Sequence, residues 1–453
     1  MKSPLKYASY KDSEVEWLHE IPSHWKIVKA KRIFHEKSIK NYPDEPLLAA
    51  TQTKGVIPKS LYGNTTVTAT KNFETLKFVR KGDFVISLRS FQGGIEYAHY
   101  QGIISPAYTI LEPQEEVVHN YYRYLLKSKH YISGLTLLVT GIREGQNIDT
   151  GKFKDSLLPL PPKEEQTKIA GFLDFKLSKI DRFIRKKKQL IKLLNEQKSA
   201  VITQAVTKGL DPNIKMKSSG IVWLDDIPEH WEVRKLKYSV RINKHTSFEQ
   251  AENVQNKIAL ENIESKTGRI LPLNDTPFEG TGTIFKKGDV LFGKLRPYLA
   301  KVVTPNYEGS CVNELLVLSP YDEDWISEFL KYRMLSEDFI RIVDNSTYGA
   351  KMPRASWNFI GTLKISKPNK KEQKKIIEFI ESENEKIDKA ITTIVNEIAL
   401  VQEYRTAFIA ETITGKIDVR DFNIPNTLEE ENYEELEEEL DMVAEDGEEM
   451  EIE

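Results

Sequence analysis

Residues 288–295, running Gly288, Asp289, Val290, Leu291, Phe292, Gly293, Lys294 and Leu295, come within one residue of a phosphate-binding loop. Such a loop cradles nucleotide phosphates with its backbone and needs a Ser or Thr hydroxyl after the lysine to hold magnesium. Leu295 stands there instead, and Val290, Leu291 and Phe292 read as strand where the loop should be. A second near-match, Phe278, Glu279, Gly280, Thr281 and Gly282, resembles the turn with which adenine methyltransferases hold S-adenosylmethionine. Its companion, an Asn/Asp-Pro-Pro-aromatic tetrapeptide, is missing: Pro161 and Pro162 lie between Leu160 and Lys163. The eight histidines have no metal-ligand or triad spacing. His24 and His230 recur beside Pro and Trp, where packing is the expected role, and Asp44 with Glu45 lacks the continuation of a nuclease core. The chain reads as a binder, with no catalytic residue, metal or cofactor of its own.

The elements that would position a binding surface occur twice. Trp17 and Leu18, followed by Ile21, Pro22, His24 and Trp25, return about 206 residues later as Trp223, Leu224, Ile227, Pro228, His230 and Trp231. Lys81-Gly82-Asp83 returns as Lys287-Gly288-Asp289, Leu88-Arg89 as Leu295-Arg296, Glu165-Gln166 as Glu372-Gln373, and Ile180-Asp181 as Ile387-Asp388. So long a period implies two copies of a whole domain-plus-helix unit, not a solenoid. Within a copy, a mixed block has short β-rich runs, such as Asp83 to Leu88 and Ile103 to Leu111, broken by glycine turns. The texture then changes. From Lys163 to Lys208 there is no proline, and apolar residues fall at 3–4 spacing. The positions Leu173, Leu177, Ile180, Ile184, Lys187, Ile191, Leu194, Lys198, Val201 and Ala205 form a coiled-coil seam, eight of the ten apolar. Shifted by 207, they become Ile380, Asn384, Ile387, Ile391, Ile394, Ile398, Val401, Arg405, Phe408 and Thr412, in a second helix from Lys371 to about Thr414. Each stripe needs a cover, and the other helix, antiparallel, is the expected one.

At 453 residues, 40% hydrophobic and 29% charged, the composition is that of a soluble globular chain with room for two cores. No stretch approaches the roughly 20 apolar residues of a membrane span. Met1 to Glu20 lacks a signal peptide's apolar core. The single cysteine, Cys311, excludes internal disulfides and cysteine-rich zinc sites, and its apolar neighbours point to burial. A cytoplasmic location is expected. The net charge of −3 hides an imbalance: residues 429–453 carry fifteen acids and no Lys or Arg, which leaves +12 on residues 1–428. A basic body suits a polyanion partner. The tail is expected to be disordered, either as a solubilising segment or as a DNA mimic.

The segments Gly141 to Ile148 and Leu158 to Asp174, with the two Trp-Leu…Ile-Pro-x-His-Trp openings, resemble the specificity subunit of type I restriction-modification systems. The resemblance runs from Ser13 to Asp421. It implies an α+β fold: two α/β target-recognition domains in pseudo-twofold repeat, separated by an antiparallel two-helix coiled coil. The expected domains are 12–162 and 220–369 for recognition, 163–210 and 370–420 for the spacer helices, 211–219 for the linker and 421–453 for the acidic tail. It further implies double-stranded DNA as ligand, no membrane, and two modification subunits that methylate adenine with S-adenosylmethionine. Restriction subunits would bring ATP and Mg2+. The second junction, Leu363 to Asn369, departs from the pattern by lacking the double proline. Two alternatives stand beside this: a duplicated coiled-coil scaffold without DNA binding, and a stand-alone methyltransferase or nuclease.

For DNA reading, phosphate contacts supply affinity and base edges supply sequence. Polar or basic loop residues at the repeated positions are the candidate readers. In the first block these are Lys54, Arg89, Ser90, Gln92, Arg143, Gln146 and Asn147; in the second, Lys294, Arg296, Tyr298, Tyr348, Lys351 and Arg354. Arginine can fork onto guanine, and Asn or Gln can pair with adenine. The blocks differ most where bases would be read: Thr53 to Pro58 has only a loose counterpart in Glu264 to Pro272. Two different half-sites are therefore expected.

Overall fold

The computed structural model describes residues 6–62, 72–135, 138–140, 147–243, 256–272, 282–321, 325–349 and 352–423. Of the acidic tail expected at 421–453, residues 424–453 lie outside them. The chain is mixed helix and strand and divides into two units, one formed by Met1–Arg185 with Glu397–Glu453, the other by Lys186–Asn396. Among the described residues no helix is long and apolar enough to cross a membrane.

The first unit holds a four-stranded antiparallel sheet in the order Phe34–Lys37, Thr109–Pro113, Phe84–Ile86, Glu96–Tyr97. Phe84, Val85 and Ile86 are all buried, as a strand covered on both faces requires. The turn before it is made by Gly82 at φ 99° and by Asp83, whose carboxylate accepts from Arg80 N–H at 2.6 Å. Lys37 pairs with Asp83 at 2.7 Å in the buried interior. The expected run from Ile103 to Leu111 is two strands, because a turn at Ser105–Tyr108 interrupts it.

The second unit has a sheet of the same order and sense: Val240–Asn243, Leu315–Pro320, Val290–Gly293, Val302–Val303. Each strand begins 206 residues after its counterpart. Gly288 takes φ 87°, and Asp289 accepts from Lys286 N–H at 2.7 Å. The phosphate-loop look-alike is thus a tight turn followed by a fully buried strand. Cys311 ends the strand Gly309–Cys311, bridged to Ile258 and Thr283, and is completely buried. Burial, and then the nearby Asp289 charge, push its thiol up to about 12.

The long helices run Lys163–Lys208 and Lys370–Ile413. All twenty seam positions named from the sequence are buried or half-buried. In the first unit Phe172 meets Phe408 with centroids 5.5 Å apart, and Asp181 meets Arg405 at 3.2 Å. In the second, Lys198 meets Asp388 at 2.9 Å, while Ile202, Ala205 and Val206 share a core with Ile376, Ile377 and Ile380. In each unit the contacts advance along one helix and retreat along the other.

The repeated Glu-Gln pair pins the start of each helix. Gln166 donates to Pro161 O and accepts from Val118 N–H; Gln373 donates to Pro368 O and accepts from Ile326 N–H, all at 2.8–2.9 Å. His24 lies 2.6 Å from Glu165, and His230 lies 2.7 Å from Glu372. These histidines therefore tie the Ile-Pro-x-His-Trp elements to the helices by polar contact as well as by packing. Glu165 also accepts from Trp25 Nε1 at 2.9 Å and Tyr7 OH at 3.1 Å. Among the described residues the buried Trp231 Nε1 has no partner. At the far end, Gly415 at φ 76° closes on Pro22 and Trp25, where a Cβ would lie 2.5 Å from Pro22 Cδ.

Glu165→Ala strips partners from two buried donors and should cost about 1–3 kcal/mol. Glu372→Ala removes one half-exposed contact and should cost clearly less. Unfolding midpoints of the two variants check the difference; equal losses would contradict it.

Candidate nucleic-acid interface

In the first unit the candidate readers gather where Phe84–Ile86 ends. Arg89, which precedes the single helical turn Ser90–Gly93, and Gln92 on it are both exposed. Ser90 is fully buried, and its hydroxyl accepts from Ser87 N–H at 2.8 Å. In this geometry it shapes the turn. Lys54 sits on the neighbouring hairpin turn, where Thr51 Oγ1 accepts from Lys54 N–H at 2.9 Å. Gln52 on that turn packs against Gly93, where a Cβ would lie 2.9 Å from Gln52 Cγ. The strand Asn147–Ile148 also lies against the Ser90–Gly93 turn. Lys54, Arg89, Gln92 and the backbone of Asn147 are therefore brought together, while Arg143 and Gln146 lie outside the described residues.

A buried ion pair supports this corner. Lys127 Nζ lies 2.9 Å from both oxygens of Glu96 and donates to Gln52 O at 2.7 Å. Burial raises the Glu96 carboxyl to about 7, against the pull of Lys127. Nearby, burial and then the charges of Arg123 and Lys81 lower His99 to about 4.

In the second unit a short ladder collects the readers. Lys294 N–H donates to Glu314 O and Lys294 O accepts from Ala355 N–H, both at 2.9 Å; Arg296 N–H donates to Pro353 O at 2.8 Å. Arg354 exchanges backbone bonds with Tyr348 at 3.1 and 3.3 Å, and its guanidinium reaches Glu314 at 2.8 Å. Tyr298 is half-buried in the turn Pro297–Leu299, flanked by Arg296 at φ 49° and Ala300 at φ 47°. Left-handed non-glycine residues on both sides of one short turn are a strained geometry that only a well-braced loop retains. Tyr348 is 66% exposed and Met352 56%, so this surface offers an aromatic face beside cations. Lys351 lies outside the described residues.

The structure adds Gln52, Leu88 and Met352 to these surfaces. Gln52 was within reach of sequence reasoning, as a polar residue two positions before Lys54. Leu88 and Met352 look like core in a sequence and are more than half exposed. Among the described residues no group of His, Cys, Asp and Glu could hold a metal ion. The methyltransferase-like turn falls almost entirely outside the described residues.

Residues 22–195 match the family described as the type I restriction modification DNA specificity domain. The chain is similar to curated type I restriction enzyme specificity subunits. It is similar to the type I restriction enzyme MjaVIII specificity subunit of Methanocaldococcus jannaschii, 26% identical over 373 residues, covering 76% of this chain and 81% of that one. It is also similar to the EcoDI specificity subunit of Escherichia coli, 22% identical over 290 residues, covering 60% and 64%. Its fold is like that of a chain solved in work on complex assembly and conformational transition of a type I restriction-modification system. The TM-score there is 0.62 at 13% identity, over 88% of this chain and 99% of that one. The relatives are specificity subunits and not catalytic ones, and DNA recognition is the family's role.

Glu96 yields a signed pH effect. Its folded value lies above the ordinary carboxylate value, so the folded state holds an extra proton between about pH 4.5 and 7. Stability from this group is present below that window and is lost as pH rises through it. The difference in unfolding midpoint between the parent chain and Glu96→Gln should shrink or reverse in that sense from pH 4.5 to 7. A flat difference would show that Lys127 holds Glu96 ionised throughout.

Proposed function

We propose that the chain reads an interrupted, asymmetric DNA sequence through two target-recognition domains, residues 12–162 and 220–369. In this reading they form a pseudo-twofold repeat, joined at 211–219 and set apart by helices 163–210 and 370–420 as an antiparallel coiled coil. Residues 421–453 form the acidic tail. The observation that carries the reading is that two sheets of identical strand order bear different polar side chains at the same corner. One offers Lys54, Arg89 and Gln92, with the backbone of Asn147 beside them and Arg143 and Gln146 just before it in sequence. The other offers Lys294, Arg296, Tyr298, Tyr348 and Arg354, with Lys351 between them. Arg89 and Arg296 are assigned to base edges, forking onto guanine, and the lysines to phosphates. Ser90 is assigned to shaping its turn.

The chain is read as carrying no cofactor. Two modification subunits would supply S-adenosylmethionine and methylate one adenine in each half-site. Restriction subunits would supply the ATP- and Mg2+-dependent work. The site of action is the cytoplasm, where the genome lies. Docking of the modification subunits is assigned to the outward faces of the helices, basic from Arg185 to Lys188, and to the Trp25 and Trp231 elements.

Mapping of N6-methyladenine in cells with the cognate modification subunit, with and without this chain, tests the reading. A two-part motif that vanishes on deletion is expected. An unchanged methylome, together with no DNA binding by the purified complex, would favour a scaffold. Adding matched helical turns to both long helices should change the gap between half-sites and leave the bases unchanged. An unaltered gap would disprove the spacer role.

A further inference from the structure

Asp388 ties the second unit's reading turn to its helices. Its carboxylate lies 2.9 and 3.2 Å from Lys198 Nζ across the helix seam. The guanidinium of Arg269 bonds to the same carboxylate from outside the helices. Arg269 closes a turn in which Glu264 N–H donates to Arg269 O at 3.1 Å, with Lys266 at φ 63° and Gly268 at φ 73°. From that turn Lys266 N–H reaches Leu299 O at 3.2 Å and Ala300 O at 3.3 Å. Those carbonyls end the strained turn that begins at Arg296. A continuous path of bonds thus runs from the helix seam to the candidate readers.

Apolar packing holds the turn on one side only: Ile263, buried, bridges Ile270, and Gly268 lies against Leu335, where a Cβ would be 2.9 Å from Leu335 Cδ1. An open cleft of about 700 Å³, lined by Lys331, Asn384, Asp388 and Arg269 among others, lies between the turn and the helices. Asn384 is 8% exposed, and its Oδ1 has no partner among the described residues. On the open, helix-facing side, the bond from Arg269 to Asp388 is a charged strut between the turn and the helices. Arg269 is not needed to neutralise Asp388, because Lys198, its side chain 5% exposed, already does so. The equivalent pair in the first unit, Asp181 with Arg405, leaves its side chains 48% and 38% exposed. Asp388 is half-buried, at 21% exposure, and fixed from the other side by Lys198, so the half-exposed Arg269 guanidinium meets a carboxylate already held in place.

We propose that Arg269, acting through Asp388, is a positioning residue that seats the second reading turn on the helices and so limits the chain to one gap between half-sites. This rests on the two-part DNA reading above. Arg269→Ala and Arg269→Lys are compared in the full chain with its modification subunit, with Arg405→Ala as the control for general loosening of the helices. Hydrogen exchange should show the Lys266 amide exchanging at least tenfold faster in Arg269→Ala, partly restored in Arg269→Lys and unchanged in Arg405→Ala. Methylation mapping of Arg269→Ala should keep the bases of both half-sites and admit gaps one base pair longer or shorter. A single unchanged gap in Arg269→Ala overturns the proposal, as does an equal relaxation in Arg405→Ala. If the parent chain directs no two-part motif, the DNA reading fails, and the exchange result alone then decides whether the strut exists.

Discussion

Each long helix carries an apolar stripe that its own head cannot cover. At 1.5 Å per residue, a helix of 46 residues spans roughly 70 Å, whereas a domain of about 150 residues has a radius of gyration near ~15 Å. The stripe is covered by the other long helix, and each large apolar seam residue removed from water contributes on the order of 1.5–3 kcal/mol. The few polar seam members are the instructive ones. Lys198 and Arg405 are each answered by an aspartate on the facing helix, Asp388 and Asp181. A polar group at such a position costs stability when mispaired, so it selects one alignment of the helices. The alignment in turn determines where every structure attached to a helix end can stand.

Much of this was legible in the sequence because helix periodicity is local. The absence of proline from Lys163 to Lys208 and the 3–4 spacing of apolar residues locate both helices to within a residue or two. The Lys-Gly-Asp turns were legible for the same reason. Glu165 and Gln166 were visible as repeated letters but silent about their work, since their partners, Trp25 and Val118, are brought to them only by folding. The burial of Ser90 was not legible, because polarity and loop context say nothing about burial when a hydroxyl is satisfied by backbone three residues away. Arg269 was hidden for the opposite reason: an arginine in a polar turn looks like solvated surface until Asp388 is placed beside it.

The two four-stranded sheets share one strand order, and the polar groups around them are satisfied differently. Trp25 gives its indole hydrogen to Glu165, while Trp231 finds no acceptor among the described residues. Asp83 is met by Lys37, while Asp289 accepts from the Ser319 hydroxyl at 2.5 Å. Strand order and core size are constrained together by packing, whereas a single hydrogen bond can be exchanged for another without moving a strand. Divergence of this kind leaves the frame intact and the surfaces free to differ.

Cys311 gives this arrangement an internal clock. It is the chain's one cysteine, held without exposure in the second unit's sheet, with its thiol kept protonated far above neutral pH. Reagents attack the thiolate, so labelling must wait for that sheet to open. The rate at which a thiol probe is consumed therefore counts openings of the second unit and is blind to those of the first. The chain thus carries its own means of telling the opening of one unit from that of the other in solution.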